Sequence, residues 1–243
     1  SLSEKDASLC HELTLGVLRN KLYIDRSIES FTKKAVRKLD IEVLVALRLG
    51  VYQLQFLNKI PAYSAINESV NLTKFARKRS ASGLVNAVLR RAAKGKVDFE
   101  FADEIERVSV EHSHPKWLIE HWAERHGLSA AEDIAKSNNT VPNLTFRFTT
   151  RFESLDKAEQ TEIASSLSRN VEVSKSSLLK NCYVTAKQSR KLRQLANENL
   201  IYFQEEASQF TAHSIDLAVG EKFVDVCASP GSKATYINAF KNP

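Results

Sequence analysis

From the N-terminus to about Ser137 the apolar residues of this chain recur every three or four positions, and at Leu144 the interval drops to two. The first period buries one stripe of a helix and the second one face of a strand, so the chain must fold as at least two modules of different class. In "DIEVLVALRLGVYQLQFL" the stripe is Leu44, Leu47, Val51 and Leu54, with Asp40 at the N-cap position. Ser3 and Asp6 have the form of a capping box ahead of "ASLCHELTLGVLRN". Pro61 and Ser64 open a helix through "INESVNLTKFARK", and "GLVNAVLRRAAKGK" offers Leu84, Val85, Val88, Leu89 and Ala92 as its buried stripe. Glu111 to about Ser137 is again helical and carries Trp117 and Trp122, both expected in a helix core. "NLTFRFTT" then alternates Leu144, Phe146 and Phe148 with Thr145, Arg147 and Thr149, a half-buried strand with Arg147 facing outward. An amphipathic helix, "SLDKAEQTEIASSLSRN", and short strands in "VEVSKSSLLKNCYVTA" complete a small α+β module to about Phe203. "EEASQFTAHSIDLAV" reads as a helix stopped by Gly220, and "KFVDVCA" as a short apolar strand.

Charge is concentrated in one place. The net charge is +6, yet no acidic residue stands between Glu68 and Asp98, where Lys74, Arg77, Lys78, Arg79, Arg90, Arg91, Lys94 and Lys96 all fall. On the last helix of this run the basic residues Arg90, Arg91 and Lys94, with Asn86, lie largely opposite the buried stripe. The periodicity that buries the helix therefore gathers cations on its outer face, which predicts a polyanionic partner such as RNA.

The three cysteines, Cys10, Cys182 and Cys227, are odd in number and scattered, so a disulfide framework is not expected and a reducing cytoplasm fits. Cys10 and Cys182 read as buried or incidental. The histidines at 112, 114, 121 and 126 lack the spacing and cysteine neighbours of a metal site, and no metal is expected. No run of about 18 apolar residues exists, so no membrane span is expected. The absence of Met and the start as if inside a domain read as truncation at both ends.

The sharpest local feature is "FVDVCASPGSKATYI": a strand, a turn of small residues, and the start of a helix. A nucleoside cofactor crossing the end of a strand needs backbone free of bulky side chains. Ala228, Ser229, Gly231 and Ser232 provide that, Pro230 stiffens the approach, and the N–H groups opening the helix can face an electronegative ligand. The pattern is neither G-x-G-x-x-G nor a P-loop, which argues against a dinucleotide enzyme. By chemistry alone a nucleotide-type site and an ordinary strand–turn–helix corner remain equally open.

This segment resembles motif I of the RNA cytosine-carbon-5 methyltransferases, "D-x-C-A-A-P-G-G-K-T". "ELTLGVLRN", "LRLGVYQLQFLNKIPAYSAINESV" and "GLVNAVLRR" resemble a NusB-like RNA-binding domain. "HPKWLIEHW", "NNTVPNLTFRFTT" and "FQEEASQFTA" follow in the order seen in the RsmB/Sun-type bacterial 16S ribosomal RNA methyltransferases. Ser229, Ser232 and Ala234 depart from the motif, and Ser232 places a Cβ where the family has bare backbone.

The resemblance implies a multi-domain α plus α/β protein. Its parts would be a NusB-like bundle over 1–110, a helical linker over 111–142, a small α+β module over 143–205, and the beginning of a Rossmann-like methyltransferase domain over 206–243. It implies that Cys227, Ala228, Ser229, Pro230, Gly231, Ser232 and Lys233 wrap the methionine end of S-adenosylmethionine. RNA, expected to be 16S ribosomal RNA, would meet Lys74, Arg77, Lys78, Arg79, Arg90, Arg91, Lys94 and Arg147. The family's ribose-binding acid and both catalytic cysteines would lie beyond Pro243, so no residue here is expected to be catalytic and the chain alone is expected to be an inactive monomer. Cys227, read as apolar and buried, would line the cofactor rather than attack a base. The alternative is a non-catalytic RNA-binding module in the manner of NusB.

Overall fold

A computed structural model describes residues 3–95, 97–186, 188–218 and 220–240. Lys96 of the basic run and the final three residues lie outside them. The chain divides into two compact units, Ser1–Thr140 and Val141–Pro243.

The first unit is helical. Helix α1 (Glu4–Arg19) starts at Ser3, whose hydroxyl accepts the Asp6 amide, and α2 (Lys21–Thr32) follows at once. Helix α3 (Ile41–Phe56) is the centre: from Ala46 to Phe56 none of its residues is exposed. Helices α4 (Ala62–Phe75) and α5 (Ser82–Ala92) pack on it, and the core joins Ile24 and Ile28 of α2, Leu44, Leu47 and Val51 of α3, and Val85, Val88, Leu89 and Ala92 of α5. Leu84, expected in that stripe, sits at its edge in the first turn of α5 and is exposed. Asp40 is the N-cap of α3 by position but caps no amide, because Lys78 takes its carboxylate at 2.7 Å. Arg48 of α3 reaches back to Asp25 of α2 in a bidentate pair of 2.7 and 2.8 Å, half-buried and so stronger than a surface pair.

Helices α6 (Glu104–Glu111), α7 (Lys116–His126) and α8 (Leu128–Asn138) form a smaller cluster around Val108, Ile119 and Ala135. It is tied to α2 by the Tyr23 amide, which donates to the Ser113 hydroxyl at 3.1 Å, and by the ion pair of Arg26 with Glu106. Trp122 packs against this cluster, as expected of it, but Trp117 is 66% exposed. Ile119 and Trp122 share one face of α7, and Trp117 lies about 200° around the helix from Ile119.

The second unit is a four-stranded antiparallel sheet with helices. Strand β1 (Leu144–Phe148) leads through a short helix α9 (Thr150–Glu153) to α10 (Lys157–Asn170), which Asp156 and Glu159 open with a complete capping box. Strands β2 (Ser174–Lys175) and β3 (Tyr183–Thr185), helix α11 (Arg190–Asn197) and strand β4 (Ile201–Phe203) follow, and the strand order is β2-β3-β1-β4. One core face joins Phe146, Phe148 and Phe152 to Leu167, Leu192 and Leu195, with the Phe148 and Phe152 rings stacked at 3.9 Å. Helix α12 (Glu206–His213) ends well before Gly220, and α13 (Ser232–Phe240) packs on it through Ala212, Tyr236 and Ile237. Phe223–Cys227, expected as a buried strand, is in no ladder, and Val226 is 90% exposed. A buried parallel strand needs neighbours on both sides, and none lies alongside among the described residues. The all-α bundle joined to a mixed α and β part is the expected multi-domain class.

A Cβ built on Gly50 would lie 2.5 and 2.6 Å from the Leu89 methyls and 2.8 Å from the Ser69 hydroxyl, so α4 and α5 both reach α3 at this bare position. Overpacking at Gly50→Ala costs about 1–3 kcal/mol, while removing a helical glycine returns about 1 kcal/mol. Urea unfolding should therefore show Gly50→Ala less stable than the parent by up to about 2 kcal/mol. Gly83 has nothing within 4 Å, and Gly83→Ala should gain about 0.4–1 kcal/mol. Equal stabilisation by both would mean that the helices do not meet so closely.

Candidate functional site

The basic run forms the outer surface of α4, α5 and their connection. Lys74, Arg77, Arg79, Arg90, Arg91 and Lys94 are all exposed, and among the described residues no carboxylate lies within salt-bridge distance of any of them. Lys78 differs. Its ammonium donates to Asp40 at 2.7 Å and stands 3.8 Å from Glu42, and the hydrogen bond to Asp40 raises its pKa. Two acids distant in sequence thus neutralise one cation of a run that has no acid of its own. Arg91 donates to the Phe31 carbonyl at 2.9 Å, which fixes its stem and leaves its charge facing solvent.

Between α4 and α5 runs a groove of about 650 Å³. Tyr63, Ile66, Asn67 and Val70 line it from α4, while Asn86, Arg90, Arg91 and Lys94 line it from α5 and its end. These are the spacings of one helix face in each case. Val85, Val88, Leu89 and Ala92 occupy the opposite, buried face of α5, so burial of the stripe turns the cations into the groove. Tyr63 and Asn67 were not among the expected site residues. Their spacing of four, shared with Ile66 and Val70, was visible, but its meaning depends on α5 packing alongside.

Arg147 is a correction. The alternation of β1 implied an outward arginine, yet Arg147 is 3% exposed. Its guanidinium lies 5.2 Å from the ring centre of Tyr202, 5.3 Å from Tyr236 and 5.7 Å from Phe240. Nε donates to Gln204 Oε1 at 2.9 Å, and Nη2 approaches the Thr235 hydroxyl at 3.5 Å. Burial lowers its pKa, yet a guanidinium stays charged in proteins. The face expected to be wet is covered by residues of α13, some 90 positions later in the sequence, so Arg147 is not available to RNA.

The turn 227–233 is exposed apart from Gly231, Ser232 and the helix that follows. The Cys227 amide donates to Asp225 Oδ1 at 3.0 Å, an Asx-type turn, and Ser229 N–H donates to the Cys227 carbonyl at 2.9 Å. Gly231 has φ 91°, a conformation that glycine alone adopts without strain. The Thr235 hydroxyl, beside Arg147, donates back to the Gly231 carbonyl at 2.9 Å. Arg147 thereby connects the sheet to the turn through one side chain. Cys227 is exposed, not buried as expected. Cys10 is also exposed, whereas Cys182 is buried and its thiol pKa is pushed up to about 11, chiefly by burial.

Glu111, His112 and Glu132 bring possible ligand atoms within 4.8 Å of one another. Arg107 already donates to Glu104, Glu111 and Glu132 at 2.7–2.9 Å, and Lys136 reaches Glu132 at 2.9 Å. The carboxylates are thus engaged by cations of the chain. No helix among the described residues is long and apolar enough to cross a membrane.

The model of the NusB family matches residues 1–94. Over 97% of its length the chain is 31% identical to the probable ribosomal RNA small subunit methyltransferase B of Bacillus subtilis, covering 52% of that protein. It is 28% identical to the probable enzyme of the same name from Synechocystis, again over 97% of this chain and 53% of the relative. The Pseudomonas putida ribosomal RNA small subunit methyltransferase B is 30% identical over 97% of this chain and 53% of its own. The fold is also that of the crystal structure of PH0851, with TM-score 0.69 and 21% identity over 97% of this chain and 53% of that one. Residues 1–94 thus match the NusB family, and the chain is similar along nearly its whole length to proteins of the second name while spanning about half their length.

The hydrogen bond from Arg107, then that from Lys136, holds the Glu132 carboxyl at about 2, below its ordinary 4.5. A depressed carboxyl stabilises the fold above its unfolded pKa and loses that contribution as pH falls toward the folded value. The stability gap between the parent chain and Glu132→Gln, read by urea unfolding, should be full above about pH 5, shrink below about 4.5 and lose its pH-dependent part near 2. A gap that stays constant down to about pH 2.5 would show that the carboxylate is not held by these cations.

Proposed function

We propose that this chain serves the methylation of ribosomal RNA, with its helical unit holding the RNA and the turn 227–233 supplying one end of a site for the methyl donor. The observation that carries the reading is the cation face of α4 and α5, where six exposed basic side chains have no carboxylate partner among the described residues. Such a face binds phosphates irrespective of sequence and positions a strand. The names borne by the relatives support ribosomal RNA as the substrate class and methyl transfer as the reaction.

The finer assignment is carbon 5 of a cytosine in 16S ribosomal RNA, with S-adenosylmethionine as donor. The turn fits one end of that ligand. Gly231 holds a backbone conformation that a side chain would strain, and the first amides of α13 have no partners within the helix and can receive a carboxylate. Cys227, Ala228, Ser229, Pro230, Gly231, Ser232 and Lys233 would hold the methionine end. When bound, the sulfonium supplies an electrophilic methyl group. A base inside a duplex is out of reach, so the helical unit must present the target unpaired or extruded. The residues that complete the chemistry would belong to the half of the relatives that this chain does not span. A purely RNA-binding role is the second reading, favoured by the NusB match over residues 1–94; it leaves the turn without a ligand.

Two measurements test the proposal. Affinity of the chain for single-stranded RNA should fall steeply with salt, and Arg90→Ala with Arg91→Ala should weaken binding and flatten the log–log slope by about 0.7 for each phosphate no longer neutralised. An unchanged slope would make the patch a solvated face. Calorimetry with S-adenosylmethionine should show binding weaker than about micromolar, since half of the ligand's partners leave little after the entropy of association. Micromolar or tighter binding would mean that the pocket is more complete than the turn alone.

A further inference from the structure

The cations account for phosphate binding but not for the other residues of the groove. Tyr63 is 76% exposed and serves no core. Ile66 and Val70 are only half-buried and lend the groove apolar surface next to it. Asn67 has no side-chain hydrogen bond among the described residues, and Asn86 accepts from Arg90 Nε at 3.3 Å, which leaves its amide N–H₂ to donate. An amide offers both donor and acceptor, the pairing that base edges require and phosphates do not. An aromatic face, two amides and an apolar lining in one groove are the chemistry of a nucleobase.

We infer that the groove between α4 and α5 is a base-reading site for unpaired RNA, in which Tyr63 stacks on a base, Asn67 and Asn86 meet base edges, and Arg90 and Lys94 take flanking phosphates. The inference rests on the RNA-binding reading above and adds the form of RNA and the residues that discriminate. Two physical limits select the unpaired form. The deep groove of an A-form duplex hides base edges from side chains, and stacked bases offer no free ring face to Tyr63. The volume, about 650 Å³, is that of a site for a ligand of nucleotide size. Among the described residues no carboxylate lines the groove, so none there repels the phosphates on either side of the base.

The test uses the 243-residue chain and fluorescein-labelled RNA, as a single strand and as the same sequence in a duplex, at one salt concentration. The single strand should bind more tightly by about tenfold or more. Tyr63→Ala and Tyr63→Leu should each weaken single-strand binding by roughly 5- to 100-fold, the range of a missing stacking face, while Tyr63→Phe retains it. Neither substitution should alter the salt slope, because the cations that neutralise phosphate are untouched. Asn67→Ala combined with Asn86→Ala should level the ranking among the four homopolymers. Because Tyr63 is exposed, the variants should melt with the parent, and this is checked by circular dichroism. Single-strand binding by Tyr63→Ala within about twofold of the parent, or duplex bound as tightly as single strand, overturns base reading while leaving phosphate binding intact. A parent chain that binds neither form, or a slope untouched by Arg90→Ala and Arg91→Ala, overturns the RNA-binding reading itself.

Discussion

The close approach at Gly50 sets the geometry of the helical unit. With no side chain there, Leu89 of α5 and Ser69 of α4 meet α3 at one point, and the spacing of the two outer helices follows from it. Burial of Val85, Val88, Leu89 and Ala92, at about 1.5–3 kcal/mol for each of the larger side chains, holds α5 in one rotation about its axis. That rotation, not any attraction among the cations, brings Asn86, Arg90 and Lys94 into one groove. Like charges on adjacent turns repel, and packing on the far side of the helix supplies the stability that offsets them.

The second unit is organised around a different constraint, a buried cation with no carboxylate within salt-bridge distance among the described residues. Desolvating a guanidinium costs several kcal/mol. Three aromatic faces and the Gln204 side-chain oxygen offset that cost at Arg147, each ring by roughly 0.5–2 kcal/mol. Gln204 is the hub: its backbone carbonyl accepts from Thr145 and from the Gln209 side chain, and its own amide oxygen from Arg147. Lysine is not equivalent here, because a guanidinium can approach aromatic faces while its planar fork donates to a hydrogen-bond acceptor such as Gln204. The sheet, α13 and the turn before α13 are therefore coupled through one side chain.

What was legible in the sequence follows from how local each cause is. The helices of the first unit were readable because their burial repeats every three or four residues, and α10 from its amphipathic pattern, though not the Asp156–Glu159 box that opens it. Helix α11 went unread although Ser189 caps it and Leu192 and Leu195 mark its buried face. Strand β1 was readable as a strand but not in its facing, since the residues that cover Arg147 are remote in the sequence. Phe223–Cys227 has a strand's composition without the neighbours that make one. The cations of the groove were visible as a run, whereas Tyr63 and Asn67 gained a meaning only once α4 and α5 lay side by side.

The outer strands of the sheet are β2, of two residues, and β4, of three. Edges so short give another chain little backbone to pair with, which protects a sheet from growing by addition. The stretch 223–226 has the opposite character: Phe223, Val224 and Val226 are exposed, their backbone belongs to no ladder, and Asp225 is the one charge within it, with Glu221 and Lys222 just before. Self-association of this chain at high concentration would therefore begin at that stretch and not at the sheet, and Asp225 with the flanking Glu221 and Lys222 is what a colloid chemist would count as its local defence.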